Sequence, residues 1–100
     1  MYKKNLKFWV QYLDERPIAM IYNSSTLVFK VIGYSSEEMV MKKVISFFKI
    51  FKPKKVDRGK NRLVFKGKCH KRVFDVLIQK ILMSNNYVIT STNSFGRYIR

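Results

Sequence analysis

One hundred residues are enough for one domain and too few for two. A net charge of +15 combined with 47% hydrophobic residues and 15% aromatics excludes simple disorder, in which charge goes with few aromatic and branched side chains. A single cysteine, Cys69, and a single histidine, His70, exclude an internal disulfide, a cysteine-rich zinc site and a histidine cluster.

A chain this short buries roughly two thirds or less of its unfolded surface, and self-repulsion narrows the margin further, so it is expected to complete folding on a partner. The longest apolar run near the middle, residues 44–51, is interrupted by Ser46 and Lys49 and cannot span a bilayer. The opening residues place charge before apolar side chains without the stretch or cleavage site of a signal peptide, and lack the Arg- and Ser-rich composition of a transit peptide.

Leu6, Val10 and Leu13 fall at helical spacing with Trp9 beside them, which predicts a short amphipathic helix ending before Pro17. Residues 18–22 read as a strand, Asn23-Ser24-Ser25 as a polar break and Thr26 to Ile32 as a second strand closed by Gly33, able to pair with the first as a hairpin. Ser35 with Glu38 has the form of a capping box, followed by an apolar stripe and C-terminal lysines, the clearest helix start in the chain. Phe48-Lys49-Ile50-Phe51 alternates and predicts a strand; the basic stretch 52–62, with Pro53 and Gly59, predicts a loop. Leu63 to Lys66 resumes a strand, residues 70–85 fit a helix although a strand reaching Asp75 is also possible, and residues 87–92 form a last strand. With residues 1–22 set apart as an N-terminal extension and 23–100 as the domain, this order predicts an α+β fold, a ferredoxin-like split βαβ sandwich carrying a long basic hairpin loop.

The chemistry lies in the charge. Residues 42–72 hold 13 of the 21 Lys and Arg residues and one acid, Asp57. Such a segment repels itself in isolation and makes physical sense against a polyanion, where Lys and Arg neutralise phosphates and release counterions. A solvated surface loop would intersperse acids among its bases, and a membrane-surface role would call for an amphipathic helix with basic flanks. Catalysis has little to stand on: Cys69 and His70 are adjacent and would face opposite ways on a strand, and Glu37 and Glu38 read as helix-start residues. Most phenylalanines lie in apolar runs and read as core; Phe95 and Tyr98, in the polar tail, are the better candidates for stacking on unpaired bases. No cofactor or metal is expected.

Phe48 to Arg58, then Phe65, then His70-Lys71-Arg72-Val73-Phe74-Asp75-Val76-Leu77, together resemble the signature of the ribosomal protein S-ten family of the small subunit. Val56-Asp57-Arg58 beside a basic tip, followed by Arg62 and Phe65, falls at nearly the family's spacing. The chain departs by lacking the Gly-Pro-rich stretch after the first helix, by a shortened turn before the second, by Cys69 where the family has Thr, and by residues 1–22 and the tail after Thr92, which have no counterpart. With 15 Lys to six Arg, nine Ile and one Ala, a composition expected of an AT-rich genome, those departures point to a divergent mitochondrial version.

The resemblance implies a non-enzymatic constituent of the mitochondrial small ribosomal subunit, matrix-located and ribosome-bound, whose partners are small-subunit rRNA and neighbouring head proteins, with no membrane and no small-molecule substrate. It further implies that Lys52, Lys54, Lys55, Arg58, Lys60 and Arg62 contact RNA backbone at the hairpin tip. Lys66, Lys68, His70, Lys71 and Arg72 would continue the contact along the strand, with Asp75 pairing with a basic neighbour. The competing reading of the charge is a small DNA-binding protein of an AT-rich plasmid or virus.

Overall fold

The computed structural model describes residues 5–58 and 61–91. Six strands form one antiparallel sheet: β1 (Asn5–Tyr12), β2 (Ile18–Asn23), β3 (Val28–Tyr34), β4 (Lys54–Arg58), β5 (Arg62–Lys68) and β6 (Tyr87–Ser91), in the spatial order β4-β5-β3-β2-β1-β6. Two helices, α1 (Glu38–Ile45) and α2 (Lys71–Met83), pack on one face. The fold is α+β and compatible with a ferredoxin-like arrangement. In β3-α1-β4 the two strands are separated by β5; in β5-α2-β6 they are separated by β3, β2 and β1.

The core face follows from strict alternation. On β1, Leu6, Phe8 and Val10 are buried toward the helices while Lys7, Trp9 and Gln11 point to the other side. Register carries that division across the sheet, with Phe8 opposite Met20, Met20 opposite Val31 and Val31 opposite Phe65. Phe74 of α2 sits at the centre of the core, its ring stacked on Tyr22 at 4.5 Å and within 6.3 Å of Phe8, Phe29 and Phe48. The buried Tyr22 hydroxyl donates to the Cys69 carbonyl at 2.8 Å, tying β2 to the entry of α2. Two glycines permit this packing. A Cβ on Gly67 would come within 2.6 Å of the Phe29 ring, and one on Gly33 within 2.9 Å of both Glu37 Oε1 and Met41 Sδ.

Several expectations are corrected. The front of the chain is strand, not helix: Leu6, Phe8, Val10 and Tyr12 give a period of two, and the aromatic and branched residues around them favour a strand. Residues 5–22, the described part of the expected extension, therefore do not stand apart from the domain, because β1 and β2 occupy the interior of the sheet. Residues 48–51 belong to a 3₁₀ segment, Ser46–Phe51, since Met41, Val44, Ile45 and Phe48 are spaced helically and all buried. The basic stretch is strand from Lys54 to Arg58; Pro53 precedes this edge strand instead of breaking it, and Gly59 lies outside the described residues. The capping interaction is shifted by one residue: Glu37 Oε1 accepts the Tyr34 backbone N–H at 2.9 Å, ahead of a 3₁₀ turn over Ser35–Glu37. The ambiguous segment after His70 is helical, and the hairpin of β2 and β3 forms as expected, its turn held by Asn23 Oδ1 accepting from the Ser25 and Thr26 N–H groups.

Candidate nucleic-acid interface

The basic segment folds as the β4–β5 hairpin at one margin of the sheet, in register from Lys54 opposite Lys66 to Arg58 opposite Arg62. Its described strands do not project beyond the sheet. β5 pairs with β3 as far as Arg62 opposite Tyr34, and the Asn61 carbonyl accepts the Ser35 N–H at 2.7 Å. The cations thus lie along the faces of two strands, and the charged outer strand also guards the sheet margin against pairing with another chain.

Alternation sorts them. Lys54, Arg62, Lys66 and Lys68 share the face that, among the described residues, carries no helix; Lys55 points to the helix side, where its Nζ lies 3.3 Å from Glu38 Oε2. Lys42 reaches the same carboxylate at 3.5 Å. The Lys55 hydrogen bond and charge, with a smaller contribution from Lys42, hold Glu38 below its ordinary carboxylate range. Lys52 adopts a left-handed backbone (φ 50°) at the end of the 3₁₀ segment, where glycine would fit with less strain. The side chain of Arg58 and all of Lys60 lie outside the described residues, as do Phe95 and Tyr98.

The last three residues of the predicted set are not continuous with the rest. His70 is the exposed N-cap of α2, and Arg72 is exposed on its first turn. Lys71 is half-buried and donates to both carboxylate oxygens of Asp75 at 2.9 Å, the pairing expected of that aspartate, found within one helix. These three residues sit on the helical layer, whereas Lys54, Arg62, Lys66 and Lys68 lie across the sheet.

Two lysines that the motif did not include complete the uncovered face. Lys30 of β3 stands opposite Lys66, which stands opposite Lys54, so three ammonium groups line up on three adjacent strands. Lys7 lies on the same line, beyond Ile21. Like charges placed directly across a sheet destabilise it by about 0.2–1 kcal/mol per pair. This row is therefore a standing cost to the fold. The signal for it was present in the β1 and β3 alternation, in which each lysine occupies a position opposite in phase to the core.

The described residues contain no group of three or more His, Cys, Asp or Glu side chains able to hold a metal ion. Cys69 is buried, and desolvation pushes its thiol up to about 11, so it stays protonated at neutral pH. Among the described residues no helix is long and apolar enough to cross a membrane. Comparison with protein-family models, with curated proteins and with solved structures gives no match.

Proposed function

We propose that this chain is a structural RNA-binding protein of a mitochondrial small ribosomal subunit, similar to the S-ten family, that neutralises rRNA backbone charge and works without catalysis. The observation that carries the reading is the β4–β5 hairpin. Lys54, Lys55, Arg62, Lys66 and Lys68 crowd onto two short strands, and of these five only Lys55 has a carboxylate partner among the described residues. Folded RNA supplies phosphates at a density that such a ridge can match without reading base edges.

The test is sedimentation of the full-length protein with purified small subunits across a salt series. Association that persists at moderate salt is expected, and recovery of the protein only in ribosome-free fractions would overturn the ribosomal assignment. Charge alone serves duplex DNA equally well, so affinities for duplex DNA and structured rRNA are to be compared at one salt concentration. Preference for DNA would move the protein to the plasmid or viral class.

A further inference from the structure

We propose that the helix-free face of the sheet is a binding surface for an unpaired RNA strand, with phosphates along the lysine row and bases laid over an apolar row that ends at Trp9. Residues directly paired between neighbouring strands form lines that cross the sheet, and this face carries three adjacent ones beside the line through Lys68, Val28 and Asn23. The first is Lys54, Lys66, Lys30, Ile21 and Lys7. Two residues along the strands lies Val56, Val64, Ile32, Ala19 and Trp9, without a charge or a hydrogen-bonding side chain before the indole; Val64 and Ala19 are buried, and Val56, Ile32 and Trp9 keep accessible surface. A further two residues along, Arg62 of β5 stands opposite Tyr34 of β3.

The dimensions suit a nucleotide strand running across the sheet. Adjacent rows are about 7 Å apart, two residues of strand rise, a distance comparable to that between a nucleotide's phosphate and its base. From β4 to β1 is about 19 Å, four strand spacings, room for a few nucleotides. The rows also discriminate between ligands. A duplex would reach the lysines but keeps its bases stacked inside, leaving the apolar row and Trp9 without a role. A polyanion lacking bases would do the same. Only an unpaired strand uses both rows, and sequence-tolerant stacking on an aromatic ring beside a basic track is how such strands are held.

The electrostatics agree. No described strand residue facing this side is acidic. Among the described residues the carboxylate of Glu37 borders the surface, and it is buried: Oε1 accepts the Tyr34 N–H, and Oε2 lies 3.7 Å from Arg16 Nε without a hydrogen-bond partner. The two aromatic rings at this end already have cations over them, Lys7 Nζ at 5.7 Å from Trp9 and the Arg16 guanidinium at 5.8 Å from Tyr34, so a base arriving on either ring finds a positive charge beside it. The proposal rests on the sheet face and does not require the ribosomal assignment, although Lys54 and Lys66 serve both.

Trp9 is the chain's single tryptophan, so its fluorescence reports on this surface alone. The full-length protein is titrated at fixed salt with a short oligouridylate, with a self-complementary RNA duplex and with inorganic polyphosphate. Saturable quenching by the oligouridylate, with little from the other two, is expected; equal quenching by duplex or polyphosphate would overturn the proposal. Anisotropy of a labelled oligouridylate then gives affinities. Trp9→Ala is expected to weaken binding about tenfold or more. Lys7→Gln with Lys30→Gln, both outside the hairpin, should reduce the logarithmic salt slope by about 1.4, or ~0.7 per lost contact. Wild-type affinity in a folded Trp9→Ala protein, or an unchanged salt slope in the double lysine variant, would overturn the site. Should Trp9→Ala fail to fold by circular dichroism, the lysine variant decides. Loss of small-subunit sedimentation with quenching intact removes the ribosomal assignment alone; the converse removes this site alone.

Discussion

The two faces of the sheet are made by the same strands and obey opposite rules. On β3, Phe29 and Val31 are fully buried under the helices, while their immediate neighbours Lys30 and Ile32 face a side where no helix lies. The helical side is bound by apolar contact around Phe74, whereas the open side sets lysine against lysine across three strands. The contrast teaches where stability and binding reside. One face supplies the free energy of folding, and the other draws on it to keep like charges close together.

Substitution at Phe74 tests the first half of that statement most severely. Its ring touches four other aromatic side chains of the core, and Phe74→Ala should cost about 3–5 kcal/mol from lost burial and the cavity left behind. In a protein of this size such a loss consumes much of the total stability, so urea denaturation should show a large fall in midpoint or no folded baseline. A loss under about 1 kcal/mol would mean that the core is not centred there.

On the open face the sign reverses. Lys30→Gln with Lys66→Gln removes two of three adjacent charges, and the free protein should unfold at the same or a higher temperature, by up to about 1 kcal/mol at low salt. The gain should shrink as salt is added, because exposed charges are screened over about 10 Å at 0.1 M. A salt-independent loss of stability would show that these lysines support the fold instead of burdening it.

The smallest effect is expected where the hairpin turns a cation toward the helices. Glu38 is held below its ordinary 4.5 mainly by Lys55, so its contribution to stability is complete above that value and fades as pH falls through the lowered folded-state pKa. In Lys55→Ala the carboxyl titration, followed by NMR, should move up toward 4.5. An unmoved titration would leave Lys42 as the dominant partner.

Much of the architecture was legible from local pattern. The β2–β3 hairpin, the helix start near Ser35, β5 and β6 all carry alternation or capping chemistry that acts over a few residues. What failed did so for identifiable reasons. Leu6, Val10 and Leu13 imitate a helical stripe, and only the burial of Phe8 with the opposite placement of Trp9 shows the period of two. Pro53 reads as a breaker inside a loop because its meaning, as the start of an edge strand, depends on a partner strand that begins nine residues later. For the interface, the density of Lys and Arg in residues 42–72 was visible, but its division between Lys54 and Lys55 on opposite faces was not. Lys7, Trp9 and Lys30 join it only through register across four strands, which no single segment encodes.

The position of β1 has a consequence for how the molecule is assembled in time. Trp9 is paired with Thr90, so one side of β1 waits for nearly the whole chain before it is covered. Contacts of such long sequence separation slow folding. Throughout that interval β1 presents a row of unpaired backbone groups to any neighbouring chain, a template for association in the wrong register. The last strand to be synthesised among those described is the one that seals the first, and conditions that delay it should favour aggregation over any defect in the core.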